Sequence, residues 1–125
     1  MISLKYINCM DNNELIQCNN LINMSFKTNR FKDYEKAVVY TENKKIIGFV
    51  GIYDNLLNQL CTSFEYRRQG IATKIINKCK EILTLPIYLY IDKHKENTKK
   101  LCNFYFKNNF IIYIDNEVEY KMIYK

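Results

Sequence analysis

Apolar and polar residues alternate through most of Ile2-Ser3-Leu4-Lys5-Tyr6-Ile7, the period of a half-buried strand. Asp11-Asn12-Asn13-Glu14 then has the form of a capping box, in which Asp11 accepts from the backbone and Glu14 reaches back. Leu15, Cys18, Leu21 and Ile22 follow at helical spacing. The stretch from Ser25 to Lys36 is polar and irregular, and reads as a loop or a short second helix. Ala37-Val38-Val39-Tyr40 and the run Lys45 to Tyr53 flank the tight polar turn Glu42-Asn43-Lys44, which predicts a hairpin. A second polar break at Asp54-Asn55 leads into Leu56 to Phe64, so these three strands form an antiparallel meander.

From about Ile71 to Leu83, Ala72, Ile75, Ile76, Cys79, Ile82 and Leu83 keep one apolar helical face, opposite Thr73, Lys74, Asn77, Lys78, Lys80 and Glu81. Pro86 restarts the chain. Ile87-Tyr88-Leu89-Tyr90-Ile91 is apolar on both faces, as a central strand of a covered sheet is. The charged stretch Asp92 to Lys100 opens a last helix with Leu101, Phe104 and Tyr105 on its inner face. Asn109 stands where a helix end takes a residue tolerant of left-handed geometry. Phe110 to Ile114 and Val118 to Tyr124 read as a closing antiparallel pair. The order is strand, helix, three strands, helix, strand, helix, two strands. A helix between the fourth and fifth strands implies a parallel crossover, so the class is α/β with a mixed sheet.

Length and composition change this picture little. The 125 residues suit one domain, residues 1–125, and 48% hydrophobic with 26% charged residues is a globular composition. No apolar run approaches the roughly 20 residues that span a bilayer, and the first residues lack the pattern of a signal peptide. A cytoplasmic protein without a membrane partner is expected. Five cysteines without a Cys-x-x-Cys pair fit a reducing compartment better than a disulfide framework. His94 is the single histidine, without cysteine or histidine neighbours at ligand spacing, so metal-free chemistry is expected. The net charge of +6 suits a polyanionic ligand, either nucleic acid or a phosphate-rich cofactor, although the lysines are spread along the chain.

The most informative stretch joins the fourth strand to the amphipathic helix: Glu65-Tyr66-Arg67-Arg68-Gln69-Gly70-Ile71-Ala72. A helix start presents free N–H groups and partial positive charge, to which Arg67 and Arg68 add two full charges. Gly70 has no Cβ to hold off a bulky anion. This chemistry favours a phosphate or pyrophosphate. Taken alone, an Arg-x-x-Gly-x-Ala stretch is equally an ordinary surface turn with two solvated arginines.

The element order, together with Arg67-Arg68-Gln69-Gly70-Ile71-Ala72, resembles the GCN5-related N-acetyltransferases, whose signature is Arg/Gln-x-x-Gly-x-Gly/Ala, commonly preceded by Glu-Tyr as at Glu65-Tyr66. Members often carry an Asn near the start of the later helix and Tyr-x-Lys-x-Gly-Phe at its end. This chain has Asn97, then Tyr105-Phe106-Lys107-Asn108-Asn109-Phe110, with Asn109 in place of the glycine and Asn97 one residue further from Tyr105 than is common. The motif resemblance spans about Leu60 to Phe110.

The resemblance implies a mixed, mostly antiparallel sheet of about six to seven strands with a parallel central pair, and about three to four helices. It implies acetyl-CoA as cosubstrate, with the amides from Arg68 to Ala72, including those of Gln69, Gly70 and Ile71, around the pyrophosphate and Arg67 nearby. Pantetheine would lie along Leu60, Cys61 and Thr62, and Asn97 is the carried-over cofactor contact. Tyr105 matches the tyrosine that donates to the leaving sulfur; without the motif it reads as a core aromatic beside Leu101 and Phe104.

A neutral amine is needed for attack, because an alkyl ammonium has no lone pair; its pKa is about 10. A base is therefore sought, and the candidates are Asp54, Asp92 and His94, each equally a turn residue. Cys61 reads as a buried apolar thiol, so direct transfer in a ternary complex is expected. The acceptor is expected to be a small-molecule primary amine, such as an amino-sugar phosphate or a polyamine, with peptide or protein amines open. Two other classes stand beside this: a non-catalytic acetyl-CoA-binding module, and a basic nucleic-acid-binding domain, for which no motif is present. Open sheet edges make a homodimer through an edge strand or the C-terminal pair a further expectation.

Overall fold

A computed structural model describes residues 1–26 and 34–125; most of the irregular stretch expected between Ser25 and Lys36 lies outside the described residues. The elements are β1 (Ile2–Tyr6), α1 (Asn12–Phe26), β2 (Lys36–Glu42), β3 (Lys45–Tyr53), β4 (Leu56–Thr62), α2 (Ile71–Ile82), β5 (Ile87–Asp92), α3 (Thr98–Lys107), β6 (Ile111–Asp115) and β7 (Glu119–Tyr124). They form one seven-stranded sheet in the order β1-β2-β3-β4-β5-β7-β6. Every neighbouring pair is antiparallel except β4 and β5, which are parallel. This is the mixed, mostly antiparallel α/β sheet with a parallel central pair.

Local chemistry sets most boundaries. The capping box forms: the Glu14 amide donates to Asp11 Oδ1 at 2.8 Å, and the Asp11 amide donates to Glu14 Oε1 at 3.1 Å. Between β2 and β3 the two turn residues, Asn43 and Lys44, both have positive φ (50° and 64°), the twist a two-residue hairpin needs. Asn109 takes φ 69° after α3, as its place in the sequence predicts. Asn108, one of the few buried polar residues, keeps its side-chain amide satisfied by donating to the Phe104 carbonyl at 2.8 Å.

Helices cover the two faces of the sheet unequally. α1 lies across β3 and β4 and closes a core of Cys18, Leu21, Ile22, Val39, Phe49 and Cys61. On the opposite face α2 and α3 close the larger core, with Ile47, Ile75, Ile76, Leu89, Phe110 and Met122 among its members. Lys80 of α2 donates to the Asn108 carbonyl at the end of α3 and holds its ammonium 4.3 Å from the Tyr124 ring, joining the two helices at one end.

Two expectations need correction and a third needs extension. β5 is covered on one face only: Ile87, Leu89 and Ile91 are buried, but Tyr90 is 49% exposed, because α1 sits over β3 and β4. The inner face of α3 takes in buried Cys102 besides the expected Leu101, Phe104 and Tyr105, which all pack against the larger core. The helix phase is fixed at its start, where the Thr98 hydroxyl donates to the Asp92 carbonyl at 2.6 Å, tying the first turn to the end of β5. Finally, β4 ends at Thr62 instead of Phe64; a 3-10 turn, Phe64–Tyr66, follows, and Phe64 is exposed. Among the described residues no helix is long and apolar enough to cross a membrane.

Candidate functional site

The parallel seam between β4 and β5 is short. Its register runs only through Leu56↔Tyr88 and Leu57↔Leu89. From Asn58 to Thr62 the peptide groups of β4 that point toward β5 lie outside any ladder, so a gap opens between two strands that remain paired on their outer sides. The cause is local. Gly51 pairs with Asn58 and Phe49 with Cys61, so Val50 of β3 faces both Gln59 and Leu60: β4 carries a bulge. Gln59 takes a left-handed φ of 56°, and the bulge turns β4 away from β5 just past the last paired residues. Peptide groups that face a gap beside an apolar wall can pair with an extended polar chain as another strand would, and can polarise a carbonyl.

Three residues expected beside a cofactor lie on this segment. Leu60 packs against the core under α2 and α3, and Thr62 is half-buried at the strand end. Cys61 points the other way, into the core under α1, and its thiol donates to the Gln59 carbonyl at 3.2 Å. Its backbone borders the gap, while the residue as a whole is only 3% exposed and its sulfur is sequestered from an incoming nucleophile or acyl group.

The turn into α2 stands just beyond. Arg67 is extended and exposed, its Nε donating to the Thr62 carbonyl at 3.4 Å and its guanidinium 5.2 Å from the Phe64 ring. Arg68 and Gly70 both take left-handed conformations (φ 66° and 76°), bracketing Gln69. The first helical bond runs from the Lys74 amide to the Gly70 carbonyl, leaving the amides of Ile71, Ala72 and Thr73 at the open end of α2, with no side chain at the cap position to satisfy them. A Cβ built on Gly70 meets nothing within 4 Å. The space in front of these amides is open, positively polarised and flanked by two arginines, a fit for a pyrophosphate.

Tyr105 comes from the opposite wall. It is buried on α3, edge-on to Phe104 (5.1 Å between ring centres) and Phe110 (5.5 Å). Burial, then the neighbouring thiols of Cys79 and Cys61, push its phenol well above the usual tyrosine value. The hydroxyl is therefore kept protonated at any physiological pH and is a permanent donor. Asn97 stands at the cap position of α3, exposed, with no side-chain capping bond, and its carbonyl accepts from Leu101.

The three candidate bases are turn residues. Asp54 sits at φ 53° in the exposed β3–β4 turn, at the far end of β4 from the turn into α2. Asp92 accepts the His94 amide at 2.8 Å within the β5–α3 loop, and His94 Nε2 lies 3.0 Å from the Glu117 carbonyl, which ties that loop to the β6–β7 turn. Among the described residues there is no cluster of His, Cys, Asp or Glu that could hold a metal ion.

Two residues beside the gap were not anticipated. The Tyr34 hydroxyl donates to Gln59 Oε1, and its ring lies where a Cβ on Gly51 would stand. A bulge on a non-glycine residue leaves no trace in periodicity; the one available hint was Gly51, small where a close ring must pass.

Comparison with known proteins converges on one family. Residues 33–112 match the family described as "Acetyltransferase (GNAT) domain". No curated protein matches the sequence. Solved structures with the same fold include an acyl-CoA N-acyltransferase from Pseudomonas aeruginosa (TM-score 0.77, 13% identity, 100% of this chain and 99% of that chain). An aminoglycoside 6'-N-acetyltransferase solved with coenzyme A superposes with TM-score 0.75 at 16% identity over 99% and 96% of the two chains. Naa50 from Arabidopsis thaliana, solved with the bisubstrate analogue CoA-Ac-MVNAL, gives 0.69 at 17% identity over 99% and 98%.

Proposed function

Because the chain belongs to the GCN5-related N-acetyltransferase family, we propose that it binds acetyl-CoA and transfers the acetyl group to a primary amine of a small molecule, by direct attack in a ternary complex. The observation that carries this reading is the alignment of an open, side-chain-free helix start at Gly70 with the unladdered stretch of β4 that begins at Asn58.

In this reading the amides of Arg68 to Ala72, with Arg67 beside them, hold the pyrophosphate, and Asn97 borders the same cleft from α3. Acetyl-CoA supplies the acyl group as a thioester, already activated. The backbone of Leu60, Cys61 and Thr62 aligns the pantetheine arm and offers an amide to the acyl oxygen. Stabilisation of that kind is worth about 2.7–4 kcal/mol per donor in other acyl-transfer sites. A neutral amine nitrogen forms the new N–C bond as the C–S bond breaks, and its surplus proton passes to water at the open mouth of the gap. Tyr105, always protonated, donates a hydrogen bond to the departing sulfur and does not compete as a base. Five free thiols support a reducing, cytoplasmic setting.

The test is calorimetric titration with acetyl-CoA, followed by an amine panel read by free-thiol release. One-to-one micromolar binding and transfer to at least one amine are expected. Absence of binding up to millimolar concentration by a folded protein overturns the proposal. Binding without transfer to any amine leaves a cofactor-binding module instead.

A further inference from the structure

The exposed face of β5, β7 and β6, opposite α2 and α3, carries a row of tyrosines that the reaction as described does not use. Because Ile87, Leu89 and Ile91 enter the core under those helices, alternation along the strand turns Tyr88 and Tyr90 to the other face. Cross-strand partners share that face: Tyr88 with Ile123, Tyr90 with Lys121, and Ile111 with Ile123. The Tyr88 and Tyr113 rings lie 5.8 Å apart, and the Lys121 ammonium sits 5.0 Å from the Tyr90 ring. Ile111, Tyr90 and Tyr113 are 54%, 49% and 41% exposed, an apolar surface that no described residue covers.

We infer that this face is the platform for the acceptor, and that it selects an amine carried on an aromatic ring through a short chain. The inference rests on the acetyl-transfer reading above. The phosphate turn, α2 and Tyr105 all lie on one side of the sheet, so the acyl donor enters the β4–β5 gap from there. An amine must approach the acyl carbon from the remaining side, where α1 covers β3 and β4 and the tyrosine row is open. Tyr90 is the next residue on that face beyond the last β4–β5 pair, Leu57↔Leu89, and so borders the gap. Tyr88 lies two residues back, about 7 Å along the strand. An amine placed at Tyr90 with a spacer of about two to four carbons sets a ring against Tyr88 and Tyr113.

Lys121 is not the only charge on this face: Asp92 and Glu119, cross-strand partners next to Tyr90 and Lys121, share it and attract the ammonium of an arriving amine. The surroundings favour such an acceptor over an amino-sugar phosphate, whose phosphate the Asp92 and Glu119 carboxylates repel while the tyrosine and isoleucine side chains offer it no stacking partner.

The experiment compares phenethylamine and 4-phenylbutylamine with n-hexylamine in kcat/KM, for the unaltered chain and for Tyr90→Ser and Tyr113→Ser, both at exposed positions. Tyrosine ring NMR signals are followed while 4-phenylbutylamine is added to the CoA-bound protein. The expected result is about a ten-fold preference for the aryl amines, falling toward parity in the variants, with shifts of Tyr88, Tyr90 and Tyr113 signals. Acetyl-CoA binding with no aryl preference, or with no turnover of these amines and unmoved ring signals, overturns the platform and leaves the acetyl-transfer reading standing. A dimer in sedimentation that Tyr113→Ser dissociates assigns the face to a second copy and overturns it as well. Failure to bind acetyl-CoA removes both.

Discussion

The hydroxyl of Tyr34, just ahead of β2, donates to the side-chain carbonyl of Gln59, the residue that turns left-handed in the β4 bulge. One hydrogen bond therefore links the entry to β2 with the point at which β4 leaves β5. The Tyr34 ring packs over Gly51, which pairs with Asn58 at the foot of the same bulge. Tyr34→Phe keeps the ring and removes the bond, so a loss of about 1 kcal/mol in urea unfolding is expected. If the bond holds the bulge in place, the variant also raises the KM for the amine while acetyl-CoA affinity stays within about two-fold. Equal losses in both affinities would show that the bond supports the fold as a whole.

Gly70→Glu places a carboxylate in front of the amides at the start of α2 and forces a side chain into a left-handed conformation. The backbone penalty is about 1–2 kcal/mol. The space around Gly70 is empty, so no clash adds to it. Acetyl-CoA affinity should fall by at least ten-fold in calorimetry with the fold retained by circular dichroism, because repulsion and closure of the anion space act together. Unchanged affinity would remove the turn from the binding site.

Tyr105→Phe conserves the edge-to-face packing against Phe104 and Phe110 and removes one donor. Turnover is expected to drop by about ten- to a hundred-fold, with acetyl-CoA binding nearly intact. The rate should show no titration of Tyr105 below pH 10, because burial raises its phenol from a starting value of 10.0. A large loss of cofactor binding would recast Tyr105 as a packing residue.

Alkaline instability should come from thiols. Burial raises Cys18 and Cys79 from 9.0 to about 12, so between these values the folded chain keeps protons that the unfolded chain releases. Fewer protons on the unfolded state make stability fall as pH rises, beginning near pH 9. The slope is up to about 1.4 kcal/mol per pH unit for each thiol. Thermal unfolding from pH 8 to 10.5 should show this decline. Cys79→Ala, though less stable at pH 7 because it leaves a small cavity, should show a shallower one.

What the sequence made legible followed from periodicity and capping. The phase of α2, the hairpin turn at Asn43-Lys44 and the Asp11–Glu14 box are each fixed by residues a few positions apart, and all form. The open helix start was also visible, since Gly70 and the arginines adjoin a strongly amphipathic helix. The β4 bulge was not, because Gln59 adopts a backbone more typical of glycine under tertiary constraint from β3 and Tyr34. The exposed side of β5 was misread for a different reason. Tyrosine is apolar enough to count as core and polar enough to face water, so Tyr88 and Tyr90 carried no signal of their surroundings. The inner face of α3 was read but for Cys102, a small side chain whose burial beside Leu101, Phe104 and Tyr105 periodicity did not mark.

The two-pair seam between β4 and β5 has a mechanical consequence. Strands β1 to β4 and strands β5 to β7 are each stitched by long ladders, yet among the described residues the ladder between the two groups is just Leu56↔Tyr88 and Leu57↔Leu89, backed by the shared core and the clasp of Lys80 on Asn108. The sheet is two well-laddered plates joined by a narrow seam over a common core, and the proposed reaction lies along that seam. A molecule lying along it would act as the missing rungs, so the plates should exchange amide hydrogens more nearly as one body when the gap is filled and as two when it is empty.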